Sequence, residues 1–78
     1  MSEYRLDIPR NINLSDYSSI HDYMGVISQN DKFTITSKMK SYEEMRILCE
    51  MLENNSFTIV TQGDTKNGEY YITSQKER

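Results

Sequence analysis

Three stretches of the chain alternate between apolar and polar residues with the period of two that is typical of half-buried β-strands. They cover residues 3–8, 32–38 and 57–61, and a fourth stretch at 69–74 combines the tyrosine, isoleucine and threonine residues that favour strands. Pro9 is expected to end the first strand, because proline lacks the N–H group that a sheet ladder needs. The pattern therefore predicts four strands.

A first helix is predicted over residues 15–29, where the apolar positions follow the helical spacing instead. The residues that share its apolar face are Tyr17, Ile20, Tyr23, Met24 and Ile27. Asn13 or Ser15 is expected to cap its start, with Asp16 at the positive end of the helix dipole. We interpret Gly25 as a site of close packing against a neighbouring element, and Asn30-Asp31 as the turn that follows.

A second helix is predicted to begin at Ser41, because Ser41 and Glu44 have the spacing of a capping box. Its apolar stripe consists of Met45, Leu48, Cys49 and Leu52, widened by Ile47 and Met51. The breadth of this stripe indicates the more deeply buried helix. Asn54-Asn55 is expected to end the helix, since asparagine tolerates the left-handed conformation.

The predicted order is βαβαββ, which indicates a two-layer α+β sandwich with a four-stranded mixed sheet. Strand-helix-strand crossovers are almost always right-handed, so both helices are expected on one face of the sheet. Residues 62–67 are predicted as a loop that ends in an Asn67-Gly68 hairpin turn. We expect residues 1–78 to form a single small domain, with 75–78 as a frayed tail.

The charge balance excludes a strongly basic nucleic-acid-binding chain. Nine lysine and arginine residues stand against twelve aspartate and glutamate residues, which gives a net charge of −3. No long apolar run is present, so no membrane span is expected. The lack of an apolar leader and the single cysteine indicate a cytoplasmic protein. The absence of alanine and the abundance of asparagine, serine and threonine are typical of AT-rich bacterial or phage genomes.

The sequence supplies no catalytic set, cofactor motif or metal site, and the prediction is a non-enzymatic protein. His21 and Cys49 are the sole histidine and the sole cysteine, and we interpret both as structural residues of the two helices. Residues 63–68, followed by Ser74, superficially resemble a calcium-binding loop. They lack its acidic ligands, and hairpin turn chemistry explains them instead.

The sheet face that points away from the helices is the first candidate site. Alternation predicts that Tyr70 and Ile72 point toward the helices, and that the opposite face carries Arg5, Asp7, Thr34, Thr36, Thr58, Val60, Tyr71 and Thr73. One interpretation is a solvated threonine-rich surface. A second is a protein-binding or dimerisation face, with Tyr71 and Val60 at its apolar centre. A third, an RNA-stacking platform, is disfavoured by the acidic charge and the single aromatic residue.

The exposed acidic face of the second helix is the secondary candidate. Glu43, Glu50 and Glu53 lie there, although Arg46 among them weakens the negative field. The hypothesis from the sequence is a small bacterial or phage interaction or regulatory protein. It is expected to bind a protein partner or a second copy of itself through the sheet face or an edge strand.

Overall fold

The computed structural model describes residues 2–8, 12–38, 42–65 and 68–77. Its elements, in chain order, are β1 (Glu3–Ile8), α1 (Leu14–Val26), β2 (Lys32–Ser37), α2 (Tyr42–Asn54), β3 (Phe57–Asp64) and β4 (Tyr70–Lys76). The four strands form one mixed sheet in the order β1-β2-β4-β3, with β1 parallel to β2 and the other pairs antiparallel. The small α+β fold is therefore confirmed.

A single layer of apolar side chains joins the two helices to one face of the sheet. Phe33, Ile35 and Ile72 are completely buried; across β2 and β4, Ile35 pairs with Ile72 and Phe33 pairs with the buried Ser74. The residues that complete this core from the other elements are Ile8, Ile20, Met24, Ile27, Met45, Leu48, Leu52 and Phe57. Side chains alternate between the two faces of a strand, and both helices pack on the same face of the sheet. The opposite face therefore stays uncovered by the helices.

The start of α1 is fixed by Asn13, which is one of the two caps that the sequence predicts. Its side-chain oxygen accepts from the backbone N–H of Asp16 at 3.1 Å, and the Asp16 carboxylate accepts from the Asn13 N–H at 2.9 Å. The helix ends at Val26, three residues earlier than predicted. Lys76 meets this end, because its ammonium group donates to the carbonyl of Met24 at 3.2 Å.

The interpretation of Gly25 is wrong. A Cβ atom at this position would meet nothing within 4 Å, and the glycine is exposed. The physical reason is that Ile20 and Met24 turn the apolar stripe of α1 toward the sheet. Gly25 then lies on the outer side of the helix, where no neighbouring element approaches it.

The turn at Asn30-Asp31 is confirmed, and it ties three parts of the chain together. Asn30 has a left-handed backbone with a φ angle of 71°. The buried Asp31 carboxylate accepts from the N–H of Ser2 at 2.8 Å and from the N–H of Ser28 at 3.1 Å. Its carbonyl accepts from the N–H of Lys76. The turn therefore holds the beginning of β1 and the end of β4 in place.

The predicted start of α2 cannot be compared with the structure, whereas its predicted end can. Ser41, the predicted cap, is outside the described residues, so the capping box stays a prediction. At the other end the helix does stop at Asn54, but the left-handed residue is Ser56, with a φ angle of 69°. Asn55 instead donates from its side chain to the carbonyl of Met51 at 2.7 Å. That bond satisfies a carbonyl in the last turn of the helix. The left-handed conformation that ends the helix is then adopted by the next residue, Ser56.

The final hairpin is longer than the alternation predicts. β3 continues to Asp64 through what is predicted as a loop, and β4 continues to Lys76, into the predicted tail. Cross-strand pairing explains both extensions, because Asp64 pairs with Tyr70 and Lys76 pairs with Phe57. The added residues are mostly polar, but they extend the strands because each of them has a partner on the neighbouring strand. Asn67 is outside the described residues, whereas Gly68 has the positive φ of 78° that a tight turn uses.

Neither helix, among the residues that are described, combines the length and the apolar content that crossing a lipid bilayer requires.

The core can be tested at two adjacent residues of α2 that differ in burial. Leu48 is 0% exposed and Ile47 is 47% exposed. We expect Leu48→Ala to lower the free energy of unfolding by about 2–4 kcal/mol, because it removes a packed side chain and leaves a cavity. Ile47→Ala is the matched control and is expected to cost less than about 1 kcal/mol. Equal losses in urea denaturation of the two variants would show that the buried face of α2 is misplaced.

Candidate functional site

A β-bulge at Val60 determines which residues reach each face of the hairpin. Ile59 pairs with Ser74 and Thr61 pairs with Thr73, so Val60 is an extra residue in β3. The extra residue shifts the alternation of everything that follows it. The sequence predicts residues 62–67 as a loop, so this shift and the faces of Gln62, Gly63 and Asp64 are findings of the structure.

The uncovered face of the sheet contains every paired residue that the sequence predicts there, and Val60, also predicted there, is the exposed bulge residue. We call it the open face; its residues are Arg5, Asp7, Thr34, Thr36, Thr58, Val60, Thr61, Gly63, Tyr71 and Thr73. Thr61 and Gly63 are additions that follow from the bulge, because they pair with Thr73 and Tyr71. Tyr70 and Ile72 point toward the helices, as predicted, and pack against the core.

The threonines of the open face are linked to their neighbours by hydrogen bonds. The hydroxyls of Thr34 and Thr73 lie 3.0 Å apart across β2 and β4. The Thr36 hydroxyl donates to the carboxylate of Asp7, which also forms an ion pair with Arg5 at 2.9 Å. Thr36 is only 6% exposed. These side chains are therefore held in place by one another and are not separate solvated groups.

The charge on Asp7 is stabilised by this arrangement. The hydrogen bond from Thr36 and, after it, the bond from Arg5 hold the pKa of the Asp7 carboxyl below its usual range. Both donors favour the ionised form because they bond to the carboxylate. An ion pair of Asp7 with Arg5 therefore lies on β1, at the edge of the open face.

Tyr71 supplies the aromatic ring of the open face. A Cβ atom on Gly63 would lie 3.5 Å from the ring and hydroxyl of Tyr71, so the ring rests over the glycine on the neighbouring strand. That distance is an ordinary van der Waals contact, so the ring is supported by the backbone of β3. Val60, at the bulge three residues before Gly63, is 52% exposed.

A groove lies on the other side of the sheet, between α2 and the end of the β3–β4 hairpin. Its volume is about 600 Å³. The helix wall consists of Tyr42, Met45, Arg46 and Cys49. The strand wall consists of Gln62, Gly63, Asp64 and Tyr70. Sequence reasoning misses this groove, because Gln62 and Asp64 reach the helix side only through the bulge and are predicted as loop residues.

The polar groups of the groove are close to apolar walls. The Cys49 thiol donates to the side-chain oxygen of Gln62 at 3.4 Å, and burial, with the charge of Glu53 second, raises its pKa. The charge of Asp64 raises the pKa of the Tyr70 hydroxyl. The thiol and the phenol are therefore neutral at physiological pH.

The structure does not bring His21 and Cys49 together as a catalytic pair. His21 is exposed on α1, whereas Cys49 is half-buried in the groove and bonds to Gln62. The calcium-loop interpretation also finds no support in the ranges described, since Ser74 is buried in β4 and donates to the Phe33 carbonyl. In the same ranges, no group of three histidine, cysteine or acidic residues is arranged to hold a metal ion.

The secondary candidate residues occupy the outer side of α2. Glu43, Glu50 and Glu53 are exposed, as predicted. Their role as a docking surface stays a prediction.

Comparison with known proteins does not assign the chain to a family. No protein-family model matches the chain, and searches of curated proteins and of solved structures find no match either.

The hydrogen bond between Thr36 and Asp7 can be tested by titration. We expect Thr36→Val to raise the pKa of the Asp7 carboxyl toward the usual value of about 3.9, as measured by NMR. Arg5→Gln is the matched comparison and should also raise it, because it removes both the hydrogen bond and the positive charge of Arg5. An unchanged pKa in Thr36→Val would contradict this geometry.

The lowered pKa of Asp7 also predicts how the stability of the fold depends on pH. A folded-state pKa below the unfolded value means that ionised Asp7 favours the folded state at every pH above about 3.9. This contribution disappears as the pH falls through the folded pKa. In Thr36→Val the acid dependence of unfolding in this pH range should be shallower than in the wild type.

Proposed function

We propose that this chain is a small non-catalytic interaction or regulatory protein that binds a protein surface through its open face. The partner is another protein or a second copy of the chain. The observation that carries the proposal is the Tyr71 ring, which rests over Gly63 on the uncovered face of the sheet. Tyrosine is enriched among the residues that dominate protein interfaces, because it supplies apolar area together with a hydroxyl.

The hydrogen bonds around this centre support the proposal. The Thr34–Thr73 bond and the Thr36–Asp7 bond already fix the neighbouring side chains. Binding therefore loses less side-chain entropy than it would on a surface of free rotamers. The Arg5–Asp7 pair places charged groups at the border of the face, as in interfaces with an apolar centre and a polar rim.

The open face is a better candidate than an edge strand. β3 is the longer edge, with eight residues, but the bulge at Val60 interrupts its ladder near the middle. Bulges of this kind hinder the addition of another strand. The same bulge brings Thr61 and Gly63 to the open face, where they enlarge the surface around Tyr71.

Binding of RNA through the same face is the weaker alternative. The chain carries a net charge of −3, and Tyr71 is the one aromatic residue of the open face as defined above. RNA platforms combine several stacking aromatics with basic residues. The proposal also includes a cytoplasmic location and a bacterial or phage origin, which rest on the composition alone.

The proposal is tested by replacing the anchor of the face. Tyr71→Ala should weaken self-association or partner binding about fivefold or more, the factor that corresponds to about 1 kcal/mol. Tyr71→Phe keeps the ring and should retain most of the binding. Self-association is measured by light scattering coupled to size exclusion, and partner binding by quantitative pull-down with the purified chain.

A control and a salt series make the result specific. Glu50→Ala changes an exposed residue of α2 and should leave binding unchanged. Affinity for a protein should respond weakly to salt, whereas phosphate contacts would make it fall steeply. If a folded Tyr71→Ala variant keeps every association of the wild type, the open face is not the binding surface.

A further inference from the structure

The groove between α2 and the β3–β4 hairpin has the features of a small-molecule site, separate from the open face. Its volume of about 600 Å³ lies within the roughly 300–1,000 Å³ that small-ligand sites occupy. It also lies on the helix side of the sheet, so a ligand here would not compete with a protein on Tyr71.

Apolar side chains from both walls form the body of the groove. The rings of Tyr42 and Tyr70 lie 6.4 Å apart and are inclined by 58°, one from each wall. Tyr42 is 79% exposed. Met45 follows Tyr42 on the same helix face, and its thioether makes favourable contacts with aromatic rings. The two rings are within the distance of an edge-to-face pair, so a flat apolar molecule would lie against them and not between them.

Arg46 is the charged group of the groove without a counter-charge. Among the described residues, no carboxylate lies within ion-pair distance of its guanidinium group. This is so although Glu43 and Glu50 are one helical turn away on either side. Asp64 differs, because its charge acts on the neighbouring Tyr70 hydroxyl and raises the pKa of that group. The cation is therefore free to receive an anionic group, while the acid already faces a protein donor.

We propose that this groove binds a small organic acid that has a flat apolar body and one carboxylate group. The carboxylate pairs with Arg46, whose fork of N–H donors matches a carboxylate through two parallel hydrogen bonds. The apolar body lies against Tyr42, Met45 and Tyr70. The carboxylate points away from Asp64, because two like charges repel each other.

The proposal is tested with three probes that share one ring and differ in charge: indole-3-acetate, indole-3-acetamide and tryptamine. Binding is followed through the backbone amide signals of the ¹⁵N-labelled protein. We expect shifts that concentrate at 42–49 and 62–64. The acid should bind about fivefold more tightly than the neutral amide, since an exposed charge pair contributes up to about 1 kcal/mol. Tryptamine should bind no more tightly than the amide.

Matched variants separate the role of Arg46 from general charge effects. Arg46→Gln should remove the preference for the acid over the amide, and Arg46→Lys should keep part of it. Arg5→Gln removes another exposed arginine, on the open face, and should leave the preference intact. Equal affinity for the acid and the amide, shifts centred outside the groove, the absence of binding, or an unchanged preference in Arg46→Gln would each overturn the proposal.

Discussion

The structure depends on burying one face of a four-stranded sheet with two helices. Both helices return to the same side, and the core is the single layer between them and the sheet. Phe33 and Ile35 on β2 lie at the centre of this layer, with β1 and β4 on either side. The described residues form this one layer and leave the other face uncovered. The hydrogen-bonded threonines of the open face make that surface compatible with water, and Tyr71 adds an aromatic ring to it.

The bulge at Val60 connects both candidate sites. It turns Gly63 beneath the Tyr71 ring on the open face, and it turns Gln62 and Asp64 toward α2, where they form the strand wall of the groove. Without the extra residue these side chains would exchange faces, because side chains alternate along a strand. One local irregularity in β3 therefore determines the chemistry of two surfaces on opposite sides of the sheet.

The sequence predicts those parts of the fold that depend on local chemistry. Alternation identifies β1 and β2, apolar spacing identifies the buried faces of both helices, and Asn13 is recognisable as a cap because its bonds are made within four residues. The positions that sequence reasoning misses depend on distant partners. Lys76 belongs to β4 because Phe57 and Asp31 pair with it, and Gly25 is exposed because of how α1 lies on the sheet.

The two sites were predictable to different degrees for the same reason. The residues of the open face up to Val60 follow from alternation, and so does the orientation of Tyr71. The groove required the bulge, which leaves no signal in the pattern of Phe57–Asp64, and it required the packing of α2 over β3. Cys49 illustrates the difference, since its apolar position predicts a core residue whereas the structure places it half-buried in the groove wall.

The most direct test of this account is the set of nuclear Overhauser contacts around the bulge in the isotope-labelled protein. The structure predicts contacts from the Gly63 α-protons to the ring of Tyr71, and from the side chain of Gln62 to that of Cys49. Contacts from the side chain of Gln62 to the ring of Tyr71 would instead show uninterrupted alternation along β3. That result would remove both the support beneath Tyr71 and the strand wall of the groove.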